Sequence, residues 1–291
     1  MERVLTNNLL RVVDLRSGVP NSAEVNRLVP RAALTIETAV DQVSELIQAV
    51  ASTGEKAIVE AAQKFDAFDP RPIRVSSEEL SNALARLSAP LREALSESIA
   101  RVRKVSEDNL PKTVTTNFSG GGKVHQRWSP VDSVGLYVPG GKAVYPSSVV
   151  MNVVPAQVAG VKRLAITTPG QKAFGGRPHP TVLAAAALLG ISEVYCVGGP
   201  AAIAALAHGV PSLDLQPVTM ITGPGNIFVT AAKRAVRGLV GIDSEAGTTE
   251  ILIIADAKAN PELVAADLLS QAEHDEAAAS VLVTDSPELE I

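Results

Sequence analysis

From about Val131 onward, short runs of β-forming residues alternate with alanine-rich stretches of helical length. The runs are apolar at consecutive positions, which is typical of strands that are buried on both faces of a parallel sheet. Strands of this kind separated by helices predict an α/β fold in which helices cover both sides of the sheet. The sequence therefore predicts a Rossmann-like architecture. Its predicted strands are SVGLYV, RLAITTP, EVYCVGG, PVTMITG and TEILIIAD.

The segment before this alternation has helical patterns from Ala33 to about Leu110. One predicted helix ends at Gly54, and the serines and acids of SSEELSNALARL form a capping pattern at the start of another. A β-hairpin is predicted from Thr113 to Trp128, because alternating residues flank three consecutive glycines there. We therefore expect a helical N-terminal region, preceded by a short arm at residues 1–30.

The composition excludes several classes of protein. Of the 291 residues, 46% are hydrophobic, so a sizeable core is possible, and a net charge of −5 without a basic patch argues against nucleic-acid binding. No uncharged apolar run reaches membrane-spanning length, and charged residues interrupt the N-terminal stretch where a signal peptide needs an apolar core. A single cysteine, Cys196, suits a reducing compartment. We therefore expect a cytoplasmic protein with no membrane or nucleic-acid partner.

Glycine-rich junctions follow several predicted strands, at residues 139–141, 198–199 and 223–225, the last followed by Asn226. Because the carboxyl ends of parallel strands share one edge of the sheet, backbone amides and helix N-termini at these junctions would suit a phosphate. None has the GxGxxG pattern. A tight turn explains the first junction about equally well, and a helix cap alone explains Asn226. The first and last junctions together favour a nucleotide cleft more than either does alone.

The single cysteine also raises the question of covalent catalysis, because a thiol nucleophile would suit aldehyde oxidation. Cys196 lies in a predicted strand among apolar residues, and no histidine is near it in the sequence. We therefore predict that Cys196 is an inert part of the core.

The stretch LLSQAEHDEA carries the residues most suited to a metal ion. Gln271 and His274 are three apart on a helix predicted over residues 260–275, so their side chains share one face, with Asp267 one turn behind. Histidine is the commonest metal ligand, but glutamine is an unusual ligand for zinc, and a zinc site needs at least three protein ligands. The residues alone leave two interpretations open, half of a metal site or an ordinary polar helix face.

Six blocks of the chain are informative in combination: VGLYVPGG, YPSSVVMNVVPAQVAG, MITGPGNIFVTAAK, DSEAG, TEILIIAD and LLSQAEHD. In this order they resemble the histidinol dehydrogenase family, from about Asp66 to the end of the chain. The resemblance implies oxidation of L-histidinol to L-histidine, the last step of histidine biosynthesis, in two NAD-dependent steps through the aldehyde histidinal. It also implies one zinc ion per site, which holds the imidazole and amine of the substrate, and a homodimer.

The same resemblance implies roles for individual residues. Gln271 and His274 would be zinc ligands at the substrate site, and Thr249, in the hydroxyl-rich loop IDSEAGTTE, would contact the substrate. Tyr137 and Asn226 would contact NAD. In the family, hydride passes to NAD and a carboxylate-activated water attacks the aldehyde, so no thiol is needed.

The chain departs from the family pattern in three respects. Ala201 stands where many members have a glutamine that touches the cofactor, and Thr248 stands where a proline is usual. The family's Glu–His acid/base pair, and the Asp and His that complete its zinc shell, lie beyond Ile291. The chain stops within the first turn of a helix predicted to begin at Ser286. We therefore expect an N-terminal part that contains no catalytic residue and is inactive alone.

The architecture implied by the resemblance has two Rossmann-like domains, one inserted in the other. We expect residues 31–133 and 250–291 to form the first domain and residues 134–249 to form the inserted NAD-binding domain. Two other functions stay open. A decayed, non-catalytic paralogue would act as a binding or scaffold module, which the alanine at position 201 favours, and a related dehydrogenase would act on a different amino alcohol.

Overall fold

The computed structural model describes residues 2–4, 10–16, 18, 20–28, 36–140, 144–245, 249–274 and 278–289. The chain forms two compact units. One unit consists of residues 1–35 and 248–291, and the other of residues 36–247. The second unit is therefore inserted in the chain of the first. This topology and the parallel sheets described below confirm the predicted α/β fold class.

The N-terminal part of the first unit contains an antiparallel pair of strands, β1 (Glu2–Val4) and β2 (Arg11–Val13), followed by helix α1 (Ser22–Leu28). Asn21 caps α1, since its Oδ1 accepts hydrogen bonds from the N–H groups of Ala23 and Glu24, both at 3.0 Å. The Glu24 carboxylate accepts the N–H of Asn21 at 2.8 Å, which completes a reciprocal capping box. The prediction of a loosely placed arm missed these elements, because three-residue strands carry too short a pattern to detect.

The helical region of the second unit is confirmed. Its four helices are α2 (Ile36–Thr53), α3 (Glu55–Phe65), α4 (Ser77–Ala85) and α5 (Ala89–Asp108). Gly54 separates the first two with φ +55°, a left-handed conformation that glycine adopts without strain. Ser76 caps α4 by accepting the N–H of Glu79 at 3.1 Å, as the serine-acid pattern predicts.

The predicted hairpin is also confirmed, as strands β3 (Val114–Asn117) and β4 (Lys123–Gln126). Both strands are exposed along their whole length. Four large apolar side chains at even-numbered positions, which share one face of an extended hairpin, are more than half exposed. These side chains, the hairpin patch below, are Val114, Phe118, Val124 and Trp128.

A five-stranded parallel sheet forms the core of the second unit, with the strand order β7-β6-β5-β8-β9. The strands β5 and β6 and the helix α7 are buried over most of their residues, which confirms enclosure on both faces for these two apolar runs. The prediction is wrong for the run TEILIIAD in the first unit, where Leu252 and Ile254 are 59% and 78% exposed. In chain order the elements are β5 (Ser133–Tyr137), α6 (Pro146–Ala159), β6 (Arg163–Thr168), α7 (Pro180–Leu188), β7 (Glu193–Cys196), α8 (Gly199–His208), β8 (Met220–Thr222), α9 (Ile227–Val236) and β9 (Gly241–Ile242).

Alanine and glycine allow the helices to lie close to this sheet. Seven consecutive residues of α8, from Ala201 to Ala207, are buried, and five of them are alanines. At Gly135 in β5, an added Cβ would lie 2.8 Å from the Leu206 side chain, so a larger residue would push α8 away from the strand. The low aromatic content of the chain thus corresponds to a core of small, closely packed side chains.

The N-terminal helices belong to the same compact unit as this sheet, because α4 packs against α7, α5 against α6, and α2 against α8 and α9. The segment before α4 also extends the sheet, since Val75 N–H bonds to Val194 O at 2.9 Å and Cys196 N–H bonds to Ile73 O at 2.7 Å. This grouping differs from the prediction, which assigned residues 31–133 to the domain of residues 250–291. The boundary near residue 248 lies close to the predicted one.

The C-terminal part of the first unit contains β10 (Glu250–Ala255), α10 (Pro261–His274) and β11 (Ala279–Thr284). The two strands pair in parallel, with the helix between them in the chain, which is a β-α-β unit. Asn260 begins α10 as predicted, with its Oδ1 accepting the Glu262 N–H at 2.9 Å. Ser286 is followed by a single 3₁₀ turn, Pro287–Leu289. No helix among the described residues is long and apolar enough to cross a membrane.

Candidate functional site

The sheet reverses its strand order beside β5. The chain passes from β5 to β6 and β7 on one side, and then returns to β8 and β9 on the other side. In open α/β sheets, ligands bind in the crevice at the carboxyl ends of the strands where the order reverses. The last residue of β5, Tyr137, and the turn after β8 that contains Asn226 therefore lie where a nucleotide site is expected.

Tyr137 ends β5 and is buried, with 5% of its surface exposed. Its hydroxyl oxygen accepts a hydrogen bond from the backbone N–H of Gly199, the first residue of α8, at 3.2 Å. Burial raises the pKa of Tyr137 to about 12, with the Gly199 N–H acting in the opposite direction. The hydroxyl is therefore neutral at physiological pH and keeps its own proton for donation to an acceptor.

Asn226 caps the helix that follows β8. Its Oδ1 accepts the N–H groups of Phe228 and Val229, both at 3.1 Å, as the cap interpretation predicted. This use of the oxygen leaves the Nδ2 group as the donor that could reach a bound molecule. Residues 223–226, the GPGN turn below, thus combine a helix N-terminus with an amide donor at the edge of the sheet.

The GPGN turn lies directly against the end of β5. Gly223 has φ +123°, and an added Cβ would lie 2.1 Å from the backbone oxygen of Tyr137. An added Cβ at Gly225 would lie 2.4 Å from the Val229 side chain. The lack of a side chain at Gly223 lets the turn approach the strand that carries Tyr137, and the lack of one at Gly225 leaves room for the Val229 side chain of α9.

These features fit a dinucleotide. Two helix N-termini, those of α8 and α9, lie at the carboxyl ends of parallel strands, and such termini favour phosphate oxygens. Gly199 has φ +58°, and a Cβ added there would meet no atom of the described residues within 4 Å, so space is open beside the first turn of α8. Gly141, in the first predicted junction, lies outside the described residues.

Ala201, at the position where the resemblance expects a glutamine, lies in the first turn of α8 with 4% of its surface exposed. Its methyl group offers no hydrogen bond to a ligand. The lost polar contact that the sequence predicts at this position stays a prediction.

In the first unit, the structure brings two of the predicted site residues together. The Nε2 group of Gln271, on α10, donates to the Oγ1 of Thr249 at 2.7 Å and to the backbone oxygen of Thr249 at 3.1 Å. With Nε2 engaged in this way, the Oε1 oxygen of Gln271 is the atom left for a cation or a substrate donor. The resemblance assigns both residues to the substrate site, but the hydrogen bond between them is a feature of the folded chain that no local pattern predicts.

His274 lies three residues after Gln271 and is the last residue of α10, so its Cα is on the same side of the helix. The side chain of His274 and the residue Thr248 lie outside what the structure describes. Among the described residues, no group of three His, Cys, Asp or Glu side chains is placed to hold a metal ion. Of the two predicted metal ligands, the structure therefore places the side chain of Gln271 alone, and the assignment of both residues to a zinc site stays a prediction.

Cys196 is buried in β7 with 1% of its surface exposed, and its thiol donates to the backbone oxygen of Gly176 at 3.2 Å. Burial raises the pKa of this thiol to about 12, whereas a catalytic thiol needs a lowered pKa. This is the geometry of a core residue, and no basic side chain among the described residues is hydrogen-bonded to the sulfur.

We expect the Cys196 thiol to resist modification. At pH 8, a pKa of about 12 in place of 9 reduces the thiolate fraction by about a thousandfold. Because the thiolate is the reactive form, the folded chain should react with a disulfide reagent at least about a thousandfold more slowly than the urea-unfolded chain. Rapid and complete labelling of the folded chain would contradict this assignment.

Replacing Tyr137 by phenylalanine leaves the Gly199 N–H without its acceptor, and we expect a loss of about 1 kcal/mol of stability in urea unfolding. The matched control is Tyr195→Phe, because Tyr195 is buried in the same sheet and donates to Asp214 O at 3.2 Å. Both variants should lose similar stability, but only Tyr137→Phe should weaken binding of NAD+. Equal affinities of the two variants for NAD+ would show that Tyr137 does not contact the cofactor.

Comparisons with known proteins place these features in a family. The sequence profile described as "Histidinol dehydrogenase" matches residues 29–290. The chain belongs to the histidinol dehydrogenase family. It is 56% identical to the histidinol dehydrogenase of Leifsonia xyli subsp. xyli over 96% of this chain and 64% of that protein. It is also 56% identical to the histidinol dehydrogenase of Nocardia farcinica, over 94% of this chain and 62% of that protein.

The fold agrees with the family. The crystal structure of histidinol dehydrogenase from Elizabethkingia anophelis superimposes with a TM-score of 0.82 and 34% identity, covering 93% of this chain and 62% of that chain. The chain thus spans 62% to 64% of the length of these relatives. The matched region corresponds to their N-terminal part.

Proposed function

We propose that this chain carries the cofactor-binding unit and part of the substrate site of a histidinol dehydrogenase. The complete enzyme would oxidise L-histidinol to histidinal and then to L-histidine, the last step of histidine biosynthesis. The observation that carries the proposal is the position of Tyr137 and of the GPGN turn at the reversal point of a parallel sheet, in a chain that belongs to this family.

NAD is the cofactor in this proposal. Tyr137 and Asn226 would bind it, with the N-termini of α8 and α9 facing its phosphates. When bound, NAD+ would supply the oxidant: the alcohol, one water and two NAD+ would give the carboxylate, two NADH and three protons, with hydration of the intermediate aldehyde between the two oxidations.

Zinc is the second proposed cofactor, with Gln271 and His274 as two of its ligands. When bound, the ion would supply positive charge that orients the imidazole and amine of the substrate. In this chain, Thr249 accepts from the Gln271 amide nitrogen, which orients the amide oxygen as the atom that would meet the ion, and the Thr249 hydroxyl is itself a candidate contact for the substrate. The acid/base residues would come from the C-terminal part that the relatives possess.

The proposal includes a cytoplasmic homodimer of the complete protein that uses no nucleic acid or membrane. The exposed hairpin patch supports a homodimer, because several exposed large apolar side chains on one hairpin commonly mark a protein interface. The net charge of −5 supports the absence of a nucleic-acid partner.

A second candidate function is a non-catalytic relative that keeps the fold as a binding or scaffold module. The alanine at position 201 favours it, because a polar contact of the family is missing there. The two candidates differ in turnover, since a scaffold would bind NAD+ weakly and release no NADH from L-histidinol.

The experiment that separates them joins this chain to the C-terminal part of the Leifsonia xyli relative, which supplies the residues that the chain does not span. NADH formation from L-histidinol is then followed at 340 nm, with the intact relative as the positive control. We expect turnover by the joined protein. A folded joined protein that binds NAD+ but shows no turnover would favour the scaffold.

A further inference from the structure

A buried lysine in the second unit takes no part in the proposed chemistry. Lys233, on α9, has only 3% of its surface exposed. Its Nζ group donates to the backbone oxygen of Gly223 at 2.9 Å and forms an ion pair with Asp243, just after β9. Burying an ammonium group is costly unless it is paired and hydrogen-bonded, and here it is both.

The ion pair and two hydrogen bonds to Gly223, in the GPGN turn, together form a closed ring of interactions. The Gly223 N–H donates to Oδ2 of Asp243 at 3.0 Å, and the Gly223 oxygen accepts from Lys233. Asp243 also accepts the N–H of Ser244 at 2.7 Å, which holds its carboxylate in place. Both polar backbone groups of Gly223 are therefore bound by one lysine and one aspartate.

This ring supplies hydrogen-bond partners for the backbone of Gly223. Gly223 is buried just beyond the end of β8, where the sheet no longer supplies partners for its backbone, and buried backbone groups require partners. Its φ of +123° is far from that of a strand, so the turn depends on contacts that hold this conformation. Well-packed apolar residues often replace a buried ion pair without loss of stability, so stability alone does not require these charges.

We propose that Lys233 and Asp243 are positioning residues for cofactor binding. They fix the GPGN turn against the end of β5, and this sets the place of Asn226 relative to Tyr137. The inference rests on the proposed function for its ligand, NAD+, but its structural part concerns the turn alone. Neither residue touches the cofactor in this account, and both act through the backbone of Gly223.

The test uses the whole chain and two variants, Lys233→Met and Asp243→Asn. Asp243→Asn is the variant expected to disturb folding less, because the Asp243 side chain is 31% exposed and asparagine has the same shape. We expect both to raise the Kd for NAD+ about tenfold in calorimetry, the equivalent of one lost hydrogen bond. We also expect faster hydrogen exchange of the Gly223 amide, which loses its charged partner.

The matched control is Arg234→Met, at the next position of α9. Arg234 bonds to Glu245 at 2.7 Å and to Glu37 at 2.9 Å, so this variant breaks ion pairs of the same helix without touching the turn. It should lose stability in urea but keep both the Kd for NAD+ and the exchange rate at Gly223. A merely structural role for Lys233 predicts the same results for Lys233→Met as for this control.

The outcomes distinguish the two proposals. Unchanged exchange at Gly223 in both variants would overturn the positioning role, as would an unchanged Kd for NAD+. If the unmodified chain binds no NAD+ at all, the cofactor assignment of the proposed function fails, whereas the exchange measurement still decides whether the ion pair fixes the turn.

Discussion

Replacing Gly223 by alanine is expected to cost about 4 kcal/mol of stability, among the largest effects of any single methyl group in this chain. The added Cβ would lie 2.1 Å from the backbone oxygen of Tyr137, and no rotamer change relieves a clash with backbone. The φ of +123° adds strain to any residue with a side chain. Urea unfolding of the whole chain measures the loss, and the affinity for NAD+ should fall with it.

Gly238→Ala is the matched control, because Gly238 also has a positive φ, +100°. An added Cβ there would meet no atom of the described residues within 4 Å, so the variant carries the conformational strain without the clash. We expect it to lose about 1 to 2 kcal/mol and to keep its affinity for NAD+. Equal losses in both variants would show that the GPGN turn is not packed against β5 as described.

The second large effect concerns the proposed metal ligands. In the joined protein, Gln271→Ala and His274→Ala are each expected to lower kcat/KM for L-histidinol by about a thousandfold or more, with loss of bound zinc, because each removes one of the proposed protein ligands of the ion. Thr249→Val should have a smaller effect, about 10-fold to 100-fold on zinc affinity, since it only frees the Gln271 amide.

Glu273→Ala is the control on the same helix. Glu273 is exposed and lies between the two proposed ligands in sequence, on another face of α10. It should retain both zinc and turnover. Zinc content by elemental analysis, measured beside the rates, separates loss of metal from loss of fold. Full zinc occupancy in Gln271→Ala or in His274→Ala would remove that residue from the proposed shell.

Much of the fold follows from patterns that are visible in the sequence. The strand SVGLYV is apolar at nearly every position, which indicates burial on both faces of a parallel sheet. The hairpin and the caps at Ser76 and Asn226 follow from local chemistry that involves few residues. These features depend on neighbours in the chain, so a single sequence is enough to predict them.

The features that sequence reasoning missed depend on distant contacts. Strand β9 has only two residues and no pattern of its own. The packing of α4 against α7 and of α5 against α6 joins residues 36–133 to the sheet, and no local signal distinguishes this from packing on another domain.

The same limit applies to the site. Lys233 looks like an ordinary helix residue until Asp243 and Gly223 are placed beside it. Thr249 and Gln271 also meet only in the folded chain.

The most direct test of the central claim is the stoichiometry of the joined protein with L-histidinol and excess NAD+. We predict two NADH and one L-histidine for each L-histidinol consumed, since the proposed enzyme would carry out both oxidation steps. Formation of NADH without L-histidine, or turnover of other amino alcohols but not of L-histidinol, would contradict it.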